Sequence, residues 1–376
     1  MRIEITTLTA LRTHRESGKD LRNTVVVGLD LTDPGDSALL RTAMDGAVFL
    51  GRELTSRVRQ QAEAAGALMF PAIPDLPYHV YRTTLYTPAE LFAGFDPAIP
   101  GSYADTPDHR IYQHSREQGR QPDALYALAE RLHDHSVTAA LTETLAKCAP
   151  GPVAVMGGHA LTRDSAQYRT AMELGAALGR NGFTVLTGGG PGAMEAVPYG
   201  VRLPDAIDDV VACLKRAPRF GTGAAEIGQW LAAGMAVPAN DQAAPTIGIP
   251  TWFYGHEPPN PACTWHAKYF ANSVREDGLL TVASGGVIYT PGSAGTLQEV
   301  FQDFTQNYYA SIGPAAPMIF LGKDFWTNDI PAAPVVQQLA RGREAERWIL
   351  ITDDIDEAVD LLTLYRDPRS PRHPAV

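Results

Sequence analysis

The sequence predicts an α/β protein: a parallel sheet with helices on both faces, preceded by a smaller α+β domain at the N-terminus. Beyond residue 152, short apolar runs rich in β-branched residues alternate with helical patterns, the order that builds a parallel sheet. Two of these runs end in glycine-rich turns that lead into helices. A chain of 376 residues also exceeds a comfortable single domain. We therefore expect a first domain over residues 1–150, a second over 151–366 and a disordered tail over 367–376.

Composition argues against several classes of function. The net charge of −11 disfavours nucleic-acid polymers and anionic membrane surfaces as partners. The three cysteines, Cys148, Cys213 and Cys263, are too few and too scattered for a disulfide framework, which suits a reducing compartment. No apolar run reaches the roughly 18 residues of a membrane helix, and the N-terminus lacks the apolar core of a signal peptide. We expect a cytoplasmic protein that acts on a small molecule.

The first domain is only partly interpretable, and its role is unknown. Its predicted elements are β-like runs at 23–31 and 47–51, a helix at 53–65, a buried strand at 68–71, a long irregular surface segment at 88–119 and one or two helices over 123–147. His133, Asp134 and His135 lie in this last region. Residues i and i+2 of a helix point to different faces, so we do not expect them to bind a metal ion.

The second domain begins after the Cys-Ala-Pro-Gly-Pro segment at 148–152, whose composition favours a linker. Strands are predicted at residues 153–156, 184–187, 245–250, 287–290, 317–321 and 348–352. Helices are predicted at 165–182, at 266–275, after residue 295 and at 355–365.

The stretch from residue 287 to 304 has the pattern of an anion site. A buried strand is followed by the small-residue turn 291–295 and then by a helix whose apolar residues recur at i, i+3 and i+4. These apolar residues are Leu297, Val300, Phe301, Phe304 and Tyr308. Free N–H groups and the helix dipole favour a phosphate at such a turn, with Glu299 nearby. Thr296 and Glu299 also fit a capping box, which would merely satisfy backbone donors.

A second turn has the same pattern and favours the functional interpretation. Residues 184–187 form an apolar run, residues 188–192 are Gly-Gly-Gly-Pro-Gly, and Glu195 lies in the first turn of the next helix. In a parallel sheet, two such turns can face each other at the carboxyl ends of the strands, where ligands of open α/β sheets bind. Together they predict a ligand that carries a phosphate group.

The pair Gly-Gly-Gly-Pro-Gly-Ala-Met-Glu-Ala (188–196) and Pro-Gly-Ser-Ala-Gly-Thr-Leu-Gln-Glu (291–299) resembles the Lonely Guy (LOG) family, over roughly residues 152–362. The resemblance implies a Rossmann-like fold and a nucleosidase that hydrolyses nucleoside 5′-monophosphates to free base and ribose 5-phosphate. It implies no metal or redox cofactor, and it implies a homodimer or higher homo-oligomer. The Pro-Gly-Ala-Met-Glu segment is closer to the longer bacterial members, which act on ordinary purine or pyrimidine nucleotides.

The resemblance also implies roles for individual residues. Glu299 is the first choice for the carboxylate that works at the anomeric carbon, and Glu195 is the second. The family's arginine falls at Glu276, so we assign it to the adjacent Arg275. The residues expected to bind substrate and phosphate are Gly157, Gly158, His159, Gly188, Gly189, Gly190, Gly192, Met194, Pro291, Gly292, Ser293, Ala294, Gly295 and Thr296.

Ser293 departs from the family signature, which has glycine at that position. If the turn requires a positive φ there, serine costs about 1 kcal/mol. The serine hydroxyl is alternatively an additional donor to the phosphate.

The loop after the third strand offers aromatic and polar residues over 251–260, which suit either a base pocket or an ordinary surface loop. His256, Glu257, Cys263 and His266 suggest a zinc set, but their spacing fits no standard zinc motif. Two functions therefore remain open. The first is a LOG-type hydrolase, and the alternative is a non-catalytic nucleotide or cofactor carrier or sensor on the same scaffold.

Overall fold

The computed structural model describes residues 2–51, 54–70, 72–119, 122–253 and 257–367. The chain forms two compact units, of which the first comprises Met1–Leu85 with Gln118–Ala140 and the second Tyr86–Glu117 with Leu141–Val376. This division differs from the predicted boundary at residue 150, because residues 86–117 belong to the second unit. Those residues also correct a second expectation. They contain two helices and the buried Tyr103 and Ile111, and so are not an irregular surface segment.

The first unit is built on a parallel sheet with the strand order β1-β2-β3-β4. Its strands and helices are β1 (Ile3–Ile5), α1 (Leu8–Glu16), β2 (Thr24–Val27), α2 (Pro34–Ser37), β3 (Val48–Leu50), α3 (Ser56–Ala64) and β4 (Leu68–Phe70). Apolar side chains from the strands and from α1 and α3 form its core, among them Leu11, Val26 and Phe49. The strand predicted as buried is instead an edge strand, with Leu68 54% exposed.

The second unit is larger and holds most of the helices. Its strands are β5 (Val153–Met156), β6 (Val185–Thr187), β7 (Thr246–Gly248), β8 (Trp265–His266), β9 (Gly286–Tyr289), β10 (Met318–Leu321) and β11 (Ile349–Thr352). Its helices begin with α4 (Pro88–Leu91) and α5 (Pro107–Gln118), whereas α6 (Ala124–Leu145) belongs to the first unit up to Ala140. The remaining helices are α7 (Ala166–Arg180), α8 (Ala193–Arg202), α9 (Ile207–Leu214), α10 (Ala224–Met235), α11 (Asn272–Val282), α12 (Ala294–Tyr309), α13 (Ala332–Ala340) and α14 (Ile355–Arg366).

The seven strands of the second unit form one sheet in the order β11-β10-β9-β5-β6-β7-β8, and all the pairs are parallel. All residues of β5, β6, β7, β9 and β10 are buried, which explains their continuous apolar sequences, since helices cover both faces of such a sheet. The predicted α/β fold with a Rossmann-like parallel sheet is therefore confirmed. From β5 the chain proceeds to β6 on one side, and β9 lies on the other, so the strand order reverses at β5.

Glycine brings α7 and α8 into close contact. Added Cβ atoms would overlap the backbone of Val197 at Gly175 and that of Met172 at Gly200. This close approach fixes α8, and with it the triple-glycine turn from which α8 begins.

One predicted helix is misplaced. Residues 266–275 are not a single helix, because β8 ends at His266 and α11 begins only at Asn272. The intervening residues 267–270 are buried, and the amides of Ala267 and Tyr269 donate to the carbonyl oxygens of Gly248 and Pro250, which holds this segment beside the end of β7. A buried extended segment overrode the local helical pattern.

Candidate functional site

A cavity of about 320 Å³ lies at the carboxyl ends of β9, β5, β6 and β7. Its position spans the point where the strand order reverses, which is where open α/β sheets bind ligands. The loops after all four strands contribute to it, and the two glycine-rich turns face each other across it. The predicted site residues that line it are Gly157, Gly158, His159, Gly188, Gly190, Met194, Arg275, Ser293, Gly295, Thr296 and Glu299.

The start of α12 decides between the two interpretations of its first turn. The helix begins at Ala294 with Ser293 as N-cap, and no side chain hydrogen-bonds to the first turn as a cap. Thr296 is therefore already inside the helix and cannot be its N-cap residue, so the capping-box interpretation is wrong. Gly295 and Thr296, in the first turn of this helix, line the cavity, and the free amides and dipole of a helix N-terminus favour an anion there.

Ser293 fits this turn without strain. Its φ is −113° and its ψ is −155°, an extended conformation that any residue adopts. The expected cost of a positive φ is therefore absent. The Ser293 side chain lines the cavity, where its hydroxyl is a possible donor to an anion.

Arg275 lies one turn inside α11 and is 13% exposed. Its Nε donates a hydrogen bond of 2.8 Å to the carbonyl oxygen of Ile249, just beyond β7. This bond directs the guanidinium into the cavity, where Nη1 lies 3.9 Å from Oε1 of both Glu299 and Glu276. The arginine assigned from the resemblance and the carboxylate at the end of the signature are thus brought together.

Glu299 has an unusual environment for a carboxylate. Burial raises its pKa to about 7, and the neighbouring Glu276 and Glu257 raise it as well, while Arg275 acts in the opposite direction. Its side chain is 15% exposed, so it remains accessible from the cavity. A carboxylate with this pKa exchanges a proton near neutral pH, which is a property of acid–base groups in enzymes.

The triple-glycine turn approaches the cavity closely because it lacks side chains. A Cβ atom at Gly188 would overlap both the Met194 sulfur and the Arg275 guanidinium. Gly189 has a φ of +75° and packs against β7, so it supports the turn without lining the cavity. Asn260 holds the turn in place, because its Nδ2 donates to the carbonyl oxygens of Gly190 and Met194 at 3.0 and 3.1 Å.

Four other predicted binding residues lie behind or beside the cavity. The Pro291 carbonyl accepts a 3.2 Å hydrogen bond from the Gly158 amide and so joins the two loops. Gly292 packs against the Thr296 side chain, and Ala294 is not among the lining residues. Gly192 has a φ of +71° and lines a different cavity, described below.

Glu195 does not lie where a second working carboxylate is needed, and this corrects the prediction. It is fully buried beneath the turn and does not line the cavity that holds Glu299. Its Oε1 accepts from Arg163 Nη2, and its Oε2 accepts from Arg163 Nε at 3.0 Å and from the Tyr168 hydroxyl at 2.8 Å. A carboxylate so fully bonded stabilises the fold and has little capacity for chemistry.

Sequence reasoning gave no role to Pro250, and it weighed Glu276 only as the alternative position for the arginine. Both line the cavity, as do Thr251 and Glu257 from the loop proposed as a base pocket.

Residues 254–256, including His256 of the suggested zinc set, lie outside the described residues. Cys263 is buried, and His266 Nε2 bonds the Asn260 carbonyl oxygen at 2.8 Å. Among the described residues, no group of three His, Cys, Asp or Glu side chains is placed to hold a metal ion.

The second unit is thus a Rossmann-like α/β unit with a cavity at the carboxyl ends of its strands. A family model described as the SLOG cluster4 family matches residues 151–208, which contain β5, α7, β6 and α8. The match includes the triple-glycine turn and stops before α12. It agrees with a relationship to the SLOG- or LOG-like Rossmann proteins. No curated protein gives a significant match.

Two solved structures are similar to part of this chain. The molybdenum cofactor binding protein of Rippkaea orientalis is 18% identical, with a TM-score of 0.35, over 56% of this chain and 95% of that one. The molybdenum cofactor carrier protein of Chlamydomonas reinhardtii is 19% identical, with a TM-score of 0.34, over 56% of this chain and 98% of that one. At these values, the ligands of those proteins say nothing about the ligand of this one. Within the described residues, no helix combines the length and apolarity needed to cross a membrane.

Proposed function

We propose that the protein hydrolyses the N-glycosidic bond of nucleoside 5′-monophosphates, releasing the base and ribose 5-phosphate. The observation that carries this proposal is the placement of Arg275 and Glu299, 3.9 Å apart, in the cavity at the uncapped start of α12. The start of α12 suits a phosphate, and Glu299, one turn further along the helix, is a carboxylate with a pKa of about 7. A nucleotide bound with its phosphate at the helix start and its reacting carbon near Glu299 uses both features.

The 5′-phosphate would bind at the beginning of α12. Backbone amides at Gly295 and Thr296 and the hydroxyls of Ser293 and Thr296 are the donors at that end of the cavity. Binding energy from this remote group can be used to orient the ribose at the reacting centre. The phosphate itself takes no part in the bond cleavage.

Glu299 would act at the anomeric carbon. Cleavage develops positive charge on the ribose, and an ionised Glu299 stabilises that charge and accepts a proton from the attacking water. The water oxygen bonds to the anomeric carbon as the bond to the base nitrogen breaks, and the base receives a proton. The proton that Glu299 accepts from the water can pass to the departing base, so no second proton donor is needed for the step to balance. Arg275 favours the ionised form of Glu299.

The direct test is release of ribose 5-phosphate from a panel of purine and pyrimidine monophosphates by the purified protein. Glu299→Gln should abolish turnover, whereas Glu344→Gln, at an exposed position remote in sequence, should not. We expect kcat to rise with pH through about 7, as Glu299 ionises. Absence of release from every nucleotide would exclude the hydrolase.

The same measurement addresses the alternative of a carrier or sensor. Such a protein would bind nucleotides in calorimetry without turnover, and Glu299→Gln would leave the affinity unchanged. The homodimer implied by the family resemblance also stays a prediction. Light scattering of the eluting protein gives its mass directly.

A further inference from the structure

A second cavity, of about 360 Å³, lies beside the first in the same unit. It is formed by the loop after β5, the start of α8, the segment before α10 and α10 itself. His159 lines both cavities and separates them, and its side chain is 46% exposed. Nothing in the proposed hydrolysis uses this second space.

The floor of the second cavity is a closed polar network. Besides its bonds to Glu195, Arg163 donates through Nη1 to the carbonyl oxygens of Ala217 and Trp230, at 3.1 and 2.9 Å. Arg163 and Glu195 are 1% and 0% exposed, and their charges cancel. The floor is therefore rigid and neutral, and a ligand would be selected by the walls and the rim.

The walls are apolar and aromatic. Phe220 lies at the side of the cavity, edge-on to the buried Trp230 with the ring centroids 6.4 Å apart. The guanidinium carbon of Arg163 lies 4.6 Å from the centroid of the Trp230 ring and fixes its position. Leu161 and Pro191 extend the apolar surface. Such walls suit a flat ring, which gains contact area and stacking on Phe220.

The rim carries a positive charge. Arg219 lines the cavity and is exposed. Within the described part of the chain its guanidinium has no hydrogen bond or close ion pair, and Asp164, which interacts with it electrostatically, does not line the cavity. Because Arg163 and Glu195 cancel, Arg219 gives this cavity a net positive charge. The first cavity has the opposite character, because its lining contains three glutamates, Glu257, Glu276 and Glu299, and one arginine. An anion without a ribose is therefore favoured in the second cavity over the first.

We propose that the second cavity binds a small ligand that combines a planar aromatic ring with an anionic group, such as an aromatic phosphate. The ring lies against Phe220, and the anion pairs with the Arg219 guanidinium. Since His159 lines both cavities, an occupant of the second cavity alters the wall of the first. The site is then suited to an effector of the reaction proposed above, although its binding does not depend on that reaction.

Phenyl phosphate is a suitable probe, because it has the ring and the anion but no glycosidic bond. Calorimetric titration of the full chain should detect its binding, with benzyl alcohol and inorganic phosphate binding more weakly. Arg219→Ala should weaken phenyl phosphate about tenfold or more, and Phe220→Ala about fivefold. Arg216→Ala is the matched control, since Arg216 is an exposed arginine of the same segment that does not line the cavity.

The outcomes separate this proposal from the proposed function. Equal affinity of the Arg219→Ala variant and the wild type would overturn it, as would no detectable binding of phenyl phosphate. Equal losses in Arg216→Ala and Arg219→Ala would mean nonspecific attraction and would also overturn it. Release of ribose 5-phosphate without ligand should be unchanged in Arg219→Ala, so the presence or absence of hydrolysis is scored independently.

Discussion

Replacement of Glu299 by glutamine should make the protein more stable at alkaline pH. Burial and two neighbouring glutamates raise the pKa of Glu299 from 4.5 to about 7. The folded state therefore holds the proton more tightly than the unfolded chain, and this stabilisation is lost as pH rises through 7. This difference between the Glu299 pKa of the unfolded and the folded state corresponds to a loss of about 3 kcal/mol of free energy of unfolding at pH values where Glu299 is ionised in both states. Glutamine has nearly the same shape and cannot ionise, so it avoids the penalty.

The measurement is denaturant unfolding of the wild type and Glu299→Gln at several pH values. The stability difference should shift by about 2.5 kcal/mol in favour of the variant between about pH 5 and about pH 8. This figure is an upper estimate, because 15% of the side chain remains in contact with solvent. Glu344→Gln, at an exposed position, should show no such trend. A constant difference between wild type and Glu299→Gln over this range would refute the argument that burial raises the pKa of Glu299 to about 7.

Three further predictions concern the surroundings of the site. Glu195→Gln should lower the thermal midpoint strongly. It removes one partner of the buried ion pair with Arg163, a change that costs about 3–5 kcal/mol of free energy of unfolding. A variant that is stable but inactive would instead indicate that Glu195 is a catalytic group. Arg275→Lys should retain the charge but lose the bond to the Ile249 carbonyl, and turnover should fall about a hundredfold with little change in stability. Ser293→Gly should leave the free energy of unfolding within about 0.5 kcal/mol of the wild-type value, because the turn needs no positive φ there. A large gain in stability would contradict that conformation.

The sheet of the second unit was predictable because its strands are buried on both faces. Continuous apolar runs at β5, β6 and β9 admit few other interpretations, and their glycine turns mark where each strand ends. The segments that failed have weaker local signals. Residues 267–271 have a helical composition but are extended, since backbone bonds to the end of β7 satisfy them better than a helix would. Tertiary contacts of this kind are not encoded in any local period.

In the candidate site, too, some features can be predicted from residue type and others depend on tertiary contacts. The turns of Gly188–Gly190 and of Ser293–Thr296 were recognisable from residue type, because close approach of a backbone requires glycine or other small residues. Glu195 and Glu299 occupy similar positions in the two motifs, and the sequence alone gave no means of distinguishing them. The two glutamates differ in the arginine that each one faces, which is Arg163 for Glu195 and Arg275 for Glu299. Arg163 is a distant arginine that reaches Glu195 from the loop after β5, while Arg275 faces Glu299 across an open cavity.

The charge of the first cavity offers a test between catalysis and storage. Three glutamates and one arginine line it, and above pH 7, where Glu299 is ionised, their net negative charge repels a bound phosphate ester, so a carrier would gain affinity by losing them. They are useful, however, when positive charge develops on a ribose, since a negative site then stabilises the transition state more than the substrate. Glu276→Gln tests this inference. Asn272 Nδ2 and Gln298 Nε2 each donate a hydrogen bond of 2.8 Å to a different oxygen of Glu276, and the glutamine side chain keeps one acceptor oxygen for one of these two donors.

We expect that variant to bind ribose 5-phosphate about fivefold more tightly, as one repulsive charge is removed, and to turn over its nucleotide more slowly. Calorimetry and steady-state kinetics measure the two effects separately. Tighter binding with unchanged turnover would mean that the negative charge serves no catalytic purpose, and the cavity would then be better explained as a binding site alone.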